Sequence, residues 1–359
     1  MKHVLFVISS LRGGGAERVL SVLVNELIKK EEFKITILVV TDDSVAYEID
    51  ERISIQCIDY QRGRSRVLNT LKRLWALRQS IKKIAPDLII TFATEVSVNT
   101  FYVTRGLNIP IIASEHCVFF SWGTVYDALR KYAFQRVRHI ACLNQHDYKE
   151  LLAINPNTHI IYNPSPFGIC RDCNASLRKP YAICVGSIGR YDRKGIDKLI
   201  IIWKQLTKEL PSFKLHILGS GPDEKMAVLN DLIRREGLEE IVILEGFQQN
   251  LEPWYRQATL LVSASIMESF SMTLIEAQSM GCPVISFDCP YGPREIITHD
   301  HNGILVPNQD YDALREAIIS LYNNHEKQKT LSANALVNAE RFAKDRIANL
   351  WADLIHKTL

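Results

Sequence analysis

The chain has 359 residues, 47% of them hydrophobic and 23% charged, with a formal net charge of +3. That length is too great for one ordinary core and suits two domains of roughly 150–180 residues each. Nothing approaches the ~20 successive apolar residues of a membrane span, and the short apolar opening lacks a small-residue cleavage site, so it reads as a first strand rather than a signal peptide.

In chain order, apolar runs alternate with turn signals. Residues 3–9 predict a buried strand, followed by Gly13-Gly14-Gly15 and a helix over 16–30 with Leu20, Leu23, Val24, Leu27 and Ile28 on its inner face. Strands are expected over 33–40 and 53–58, then a helix over 67–84 and a strand over 88–92. A strand over 109–113 ends in Ser114-Glu115-His116, and a helix over 127–135, a strand over 139–143, a helix from Gln145 and a strand over 159–161 follow. Residues 166–180 break the pattern and read as a linker. The alternation restarts with strands over 181–186, 214–218, 241–245, 259–263 and 284–287. Helices are expected between them over 195–209, 223–236, 251–257 and 272–280, then over 311–323, 327–342 and 344–357. Such alternation argues for an α/β chain with two doubly wound, mostly parallel sheets. The expected domains are 1–165 and 181–340, with a terminal helix over 341–359 packing back toward the first.

The charge is unevenly placed. Up to Arg171 there are 22 basic and 16 acidic residues, and the remainder has 21 and 24. Arg62, Arg64, Arg66, Lys72, Arg73, Arg78, Lys82 and Lys83 fall in a stretch without an acid, with Leu68, Leu71, Leu74, Trp75, Leu77 and Ile81 at helical spacing among them. Such a helix either carries a plain solvated face or is drawn to anionic lipid headgroups or a phosphorylated acceptor. No aromatic-basic platform accompanies it, which argues against nucleic acid. The eight cysteines are scattered and read as reduced, and the lone Cys170-Arg-Asp-Cys173 pair has no second pair or nearby histidine to suggest zinc or redox work.

The richest stretch is 263–303. A strand end leads to Glu268, then to a short helix stopped by Gly281 and Pro283, with Glu276 inside it. A strand and a Gly/Pro-rich loop follow, so a helix N-terminus lies among loops at carboxyl ends of parallel strands, where such folds bind ligands. Thr273-Leu-Ile-Glu276 also reads as a capping box, while Ser271 is an equally good cap that would free Glu276 for a ribose diol; both readings stand. Gly186-Ser-Ile-Gly189-Arg190 through Lys194-Gly195 offers glycines and cations to a diphosphate, or is a basic surface loop. Gly13-Gly14-Gly15 suits an anion at a helix N-terminus, or a tight turn. A dinucleotide fingerprint would need glycine where Arg18 stands, although Asp42 and Asp43 imitate its ribose acid, which keeps a dehydrogenase as a runner-up. His116 is either structural or a partner for a sugar hydroxyl or leaving oxygen. No Asp-x-Asp, Gly-x-Ser-x-Gly or zinc-ligand spacing occurs.

Together these residues resemble the retaining glycosyltransferases of family 4, whose GT-B fold has two Rossmann-like domains facing a central cleft. The resemblance rests on Gly14-Gly-Ala-Glu-Arg-Val19, Arg190 to Gly195, His216-Ile-Leu-Gly-Ser-Gly-Pro222, Leu244-Glu-Gly-Phe247, the Glu-x7-Glu pair Glu268 and Glu276, Pro290-Tyr-Gly-Pro293 and Asn302-Gly-Ile-Leu-Val306. It implies that Gly14 and Gly15 approach donor phosphates and acceptor, that Arg190 and Lys194 neutralise the departing diphosphate, and that Glu268 with the N–H groups of Phe270, Ser271 and Met272 holds the donor sugar. Glu276 would hold the ribose, Phe247 would border the base, and His116 would lie near the anomeric centre. The family's Gly-Arg-Leu motif is spaced differently here, so Ser187 or Arg190 takes the phosphate position. The implied activity is metal-independent, front-face transfer of a hexose or N-acetylhexosamine from a nucleoside diphosphate, UDP first among them, to a lipid-linked glycan at the cytoplasmic membrane face. The alternatives are a GT-B sugar-nucleotide epimerase and a non-catalytic nucleotide-sugar or glycan-binding protein. No further cofactor and no nucleic-acid partner are expected.

Overall fold

The computed structural model describes residues 1–41, 44–60, 63–116, 123–173 and 178–359. Asp42, Asp43, Arg62 and Cys117 therefore lie outside the described residues. The chain forms two compact units, Met1–Pro166 with Lys344–Leu359, and Phe167–Ala343.

The first unit runs β1 (Lys2–Ile8), α1 (Gly15–Ile28), β2 (Phe33–Val39), β3 (Ser54–Cys57), α2 (Arg66–Ile84), β4 (Leu88–Phe92), α3 (Thr94–Val103) and β5 (Ile111–Ser114). It continues with α4 (Thr124–Phe134), β6 (His139–Cys142), α5 (Gln145–Leu152) and β7 (Thr158–Ile160). Among the described residues its strands pair in the order β3-β2-β1-β4-β5-β6-β7, all parallel. The fully buried strands β4 and β5, and the buried run Val4–Ile8 of β1, are what a sheet covered on both faces requires.

The second unit runs β8 (Lys179–Val185), α6 (Ile196–Leu206), β9 (Lys214–Leu218), α7 (Asp223–Glu236), β10 (Val242–Gly246), α8 (Glu252–Gln257) and β11 (Ala258–Ser263). Then come α9 (Met272–Ser279), β12 (Val284–Asp288), α10 (Pro293–Ile296), β13 (Ile304–Pro307), α11 (Tyr311–Tyr322) and α12 (His325–Ala339). Six parallel strands are ordered β10-β9-β8-β11-β12-β13. Its core is centred on Trp203, whose indole N–H donates to the Phe213 carbonyl at 2.9 Å.

The last helix, α13 (Lys344–Thr358), belongs to the first unit. Lys344 pairs with Glu26 at 3.3 Å and His356 meets Glu32 at 2.6 Å, so its two ends are fastened near α1 and β2. Between the units, the stretch expected as a linker is divided after Pro166. Phe167 packs edge-on to Tyr255, and the Cys170 N–H donates to the Ser279 carbonyl at 2.8 Å, so 167–173 ride on the second unit. Cys170 and Cys173 form a disulfide, which corrects the expectation of reduced thiols for that pair. Three-residue separation lets their Cα atoms approach to 5.5 Å, inside the range a disulfide bridges.

Three elements were not anticipated. α3 contains Thr94, Val96, Val98, Thr100 and Val103, β-branched residues that argue against a helix; burial on the core side overrides that preference. β13 and α10 are four residues each, too short for a periodic signal.

Candidate functional site

In the second unit the strand order reverses between β8, which has β9 on one side, and β11 on the other. The crevice outside the carboxyl ends at such a reversal is where open α/β sheets bind ligands. Four loops gather there, following β8, β9, β11 and β12.

Backbone contacts fasten these loops. Gly219, at φ +154, lies so close to the Gly186 carbonyl that a Cβ would overlap it, which ties the β9 loop to the β8 loop. Gly195, at φ +65, likewise leaves no room for a Cβ beside the Ala264 carbonyl, and the Ile266 N–H donates to the Arg193 carbonyl at 3.1 Å. Only glycine meets both the positive φ and the close approach. Glu268 then joins the β11 loop to the β12 loop: its N–H donates to the Pro290 carbonyl, and its carbonyl accepts from Tyr291 and Gly292 at 3.1 and 2.8 Å.

On this frame the Lys194 ammonium meets the Glu268 carboxylate at 2.5 Å. Both side chains are partly exposed, 27% and 15%. Arg190 closes a 3-10 turn, Ile188–Arg190, and is exposed; among the described residues its guanidinium makes no ion pair. Ser187 precedes that turn and is exposed too. Lys194 thus points to the carboxylate, while Arg190 stays with solvent.

Ser271 is the N-cap of α9, which places Glu276 beyond the third helical position and removes the capping-box reading based on Thr273. Glu276 is instead buried and accepts from the Tyr255 hydroxyl at 2.8 Å. Phe270 and Ser271 are buried at the helix entrance, and Met272 is partly exposed. The helix dipole favours negative charge at that entrance. Phe247 is 66% exposed just beyond β10. Cys289, near Glu268, is no nucleophile, because burial pushes its thiol up to about 12.

In the first unit, His116 follows β5, stacks on Phe92 with ring centroids 4.6 Å apart, and shares a 2.9 Å hydrogen bond with the Ser114 hydroxyl. Burial pushes its imidazole down to about 3, so it is neutral near pH 7. Glu115 beside it is buried under a hydrogen bond from the Thr94 hydroxyl; burial drives its carboxyl up to about 7 against that bond. Gly14 caps α1, and the Glu17 carboxylate lies against it, held by the Ser10 hydroxyl at 3.2 Å. An anion reaching this glycine turn meets a carboxylate first.

Sequence reasoning missed Tyr255, Glu17 and Glu115. Tyr255 sits on another helix 21 residues upstream of its partner, with no local signal. Glu17 was readable only as part of a motif. Among the described residues, no group of three His, Cys, Asp or Glu side chains could hold a metal ion.

Residues 13–165 match the family model described as Glycosyltransferase Family 4, and residues 179–324 match that described as Glycosyl transferases group 1. The amylovoran biosynthesis glycosyltransferase AmsD of Erwinia amylovora is 24% identical over 367 residues, covering 99% of this chain and 100% of that protein. The Campylobacter jejuni GalNAc-alpha-(1->4)-GalNAc-alpha-(1->3)-diNAcBac-PP-undecaprenol alpha-1,4-N-acetyl-D-galactosaminyltransferase is 24% identical over 361 residues, covering 99% of this chain and 98% of its own. Among solved structures, Anabaena HepE in complex with UDP and glucose superposes with a TM-score of 0.83 at 20% identity, covering 99% of this chain and 100% of that one.

Proposed function

This chain belongs to the glycosyltransferases of family 4, which have the GT-B fold, and we propose on that basis that it is a retaining, metal-independent transferase. It moves a hexose or N-acetylhexosamine from UDP to a lipid-linked glycan in bacterial surface-polysaccharide or oligosaccharide assembly. The observation that carries this reading is the Lys194–Glu268 pair at the strand-order reversal, with Glu276 buried one helix away. A cation and a carboxylate side by side suit a substrate that is a diphosphate on one side and a polyhydroxyl on the other.

In this reading Lys194 and Arg190 stabilise the charge that grows on the diphosphate as the anomeric carbon–oxygen bond breaks. Glu268 accepts hydrogen bonds from sugar hydroxyls, and the N–H groups at Phe270, Ser271 and Met272 fix the sugar at the positive end of α9. Glu276, oriented by Tyr255, takes the ribose hydroxyls; Phe247 covers the base. Neutral His116 offers a ring nitrogen to a sugar hydroxyl and cannot act as a standing cation. Gly14 and Gly15, with Glu17 against them, suit hydroxyl groups of the acceptor better than phosphate. The acceptor hydroxyl attacks from the face the diphosphate leaves and passes its proton to the departing oxygen, so configuration is retained without a protein nucleophile. The names of the relatives, one for amylovoran biosynthesis and one for a diNAcBac-PP-undecaprenol acceptor, support the acceptor class.

Among the described residues no helix is long and apolar enough to cross a membrane. The proposed link to the membrane is peripheral, at its cytoplasmic face, through α2. Val67, Leu68, Leu71 and Trp75 are 57–70% exposed on it, although Ala76, Leu77 and Ile81 supply a buried face. Arg66, Lys72, Lys82 and Lys83 flank them, the composition of an interfacial helix.

Calorimetric binding tests the donor assignment. Lys194→Ala is expected to weaken UDP and UDP-sugar alike, and Glu268→Gln to weaken the sugar nucleotide while leaving UDP unchanged or tighter. Equal effects of Glu268→Gln on both ligands would contradict the assignment of that residue to the sugar.

A further inference from the structure

The strongest feature outside the candidate site lies in the first unit, at the amino-terminal ends of β5 and β6. A cavity of about 750 Å³ opens there, lined by Arg105, Arg136 and Arg138. Among the described residues no Asp or Glu lines it, and none of the three guanidinium groups makes an ion pair. Arg136 lies over the Tyr132 ring at 3.7 Å, and Arg105 donates to the Tyr132 hydroxyl at 3.2 Å. Two guanidinium groups are thereby gathered on one aromatic ring without an anion between them. An added anion with several oxygens can accept forked hydrogen bonds from these guanidinium groups.

An apolar groove of about 820 Å³ adjoins this cavity, with Arg105 lining both. It follows α4 past Val125, Leu129 and Tyr132, which recur at helical spacing and are 75%, 43% and 38% exposed. The Tyr102 hydroxyl donates to the Leu129 carbonyl at 3.1 Å and closes one wall. An eleven-residue helix is about 16 Å long, the span of a chain of roughly a dozen carbons.

We propose that this face binds a lipid phosphate, with the phosphate taken by Arg105, Arg136 and Arg138 and the chain laid along Val125, Leu129 and Tyr132. The charge complementarity fixes the head, and the continuity of groove and cavity through Arg105 fixes the chain. The site is separate from the donor loops, which are in the other unit, and from His116 and the glycine turn, which follow the carboxyl ends of their strands. It therefore does not rest on the transferase reading.

The test uses the full chain and three probes at constant ionic strength: decyl phosphate below its micelle concentration, decanol, and inorganic phosphate. Decyl phosphate is expected to bind roughly tenfold or more tightly than either of the others, since each lacks one half of the recognition. Arg138→Gln and Arg136→Gln are each expected to lower decyl phosphate affinity by roughly tenfold. Val125→Ser with Leu129→Ser, both on exposed positions, is expected to lower decyl phosphate binding and leave inorganic phosphate unchanged. Arg234→Gln with Arg235→Gln, exposed on α7 of the second unit, serves as the charge control and is expected to change nothing. Melting temperatures of all variants establish that the fold is kept; if Arg136→Gln unfolds, Arg138→Gln carries the test. Equal affinity for inorganic and decyl phosphate would reassign the cavity to a free anion and overturn the proposal. So would absence of binding, or binding indifferent to the arginines.

Discussion

Lys194 and Glu268 are 74 positions apart in the chain, yet their side chains meet at 2.5 Å beside the strand-order reversal of the second unit. The lysine arrives on the loop after β8 and the glutamate on the loop after β11, and those strands are hydrogen-bonded neighbours. The pair stores a cation and an anion where each would otherwise be held by water. A substrate with a diphosphate beside a hydroxyl-bearing ring can replace both partners at once.

Lys194→Ala should therefore lower the rate of transfer by about 10²–10³-fold, which corresponds to roughly 3–4 kcal/mol of lost charge stabilisation in the transition state. Steady-state kinetics with the cognate donor measure it. Arg190→Ala should have a smaller effect if the exposed side chain moves in only with substrate. A Lys194→Ala enzyme of unchanged kcat would remove the lysine from the chemistry.

Tyr255→Phe isolates the orientation of Glu276 from its charge. The variant loses one buried hydrogen bond, so stability should fall by only about 0.5–1.5 kcal/mol. The donor KM should rise several-fold while kcat holds, because ribose is bound alike in ground and transition states. Denaturant melts alongside donor titrations separate the two effects. A large loss of stability with an unchanged KM would make Glu276 a structural carboxylate.

Much of the fold was legible in the sequence, for reasons that can be named. β4 follows a Pro-Asp turn and α7 follows Gly-Pro, so both start where the sequence places them. α3 was not legible, because its helix is bought by burial of β-branched side chains rather than by propensity. At the site, Glu268, Glu276 and Lys194 could be named from spacing. That Lys194 faces Glu268 and that Tyr255 holds Glu276 could not, since both are contacts between separate elements. The arginine cavity is the extreme case: Arg105 follows α3, while Arg136 and Arg138 lie between α4 and β6, and only the fold brings them together.

Glu115 and His116 impose opposite pH dependences on stability. Burial raises the Glu115 carboxyl from an ordinary 4.5 to about 7, so the unfolded chain gives up that proton first and stability falls as pH rises from 4.5 to 7. Burial lowers the His116 imidazole from 6.5 to about 3, so stability contributed there rises with pH between 3 and 6.5 and is then complete. Glu115→Gln removes the first effect alone. Its stability relative to the parent should improve from pH 4.5 to pH 7.5, by up to about 3 kcal/mol, with no further gain above that. Urea melts across this range measure it, and a difference independent of pH would show that Glu115 titrates normally.

The basic, apolar-faced α2 predicts peripheral membrane binding that weakens with salt. Flotation with vesicles rich in anionic phospholipid should recover the chain at low salt and lose it progressively as ionic strength rises. Trp75→Ser with Leu71→Ser should reduce recovery at every salt concentration, because those side chains are more than half exposed on the outer face. Equal recovery with neutral vesicles would remove the electrostatic part of the proposal.

Transfer of a sugar from a nucleotide to a lipid-linked glycan with retained configuration can be followed in one assay. The most direct measurement incubates the chain with a panel of UDP-sugars, with and without a polyprenyl-diphosphate-linked glycan. It follows UDP release and lipid product, and the anomeric configuration of the new linkage by NMR. UDP release is expected to depend on the acceptor, with a lipid product one sugar longer and an α-linkage from an α-configured donor. An isomerised donor formed without acceptor, or a β-linkage from that donor, would contradict it.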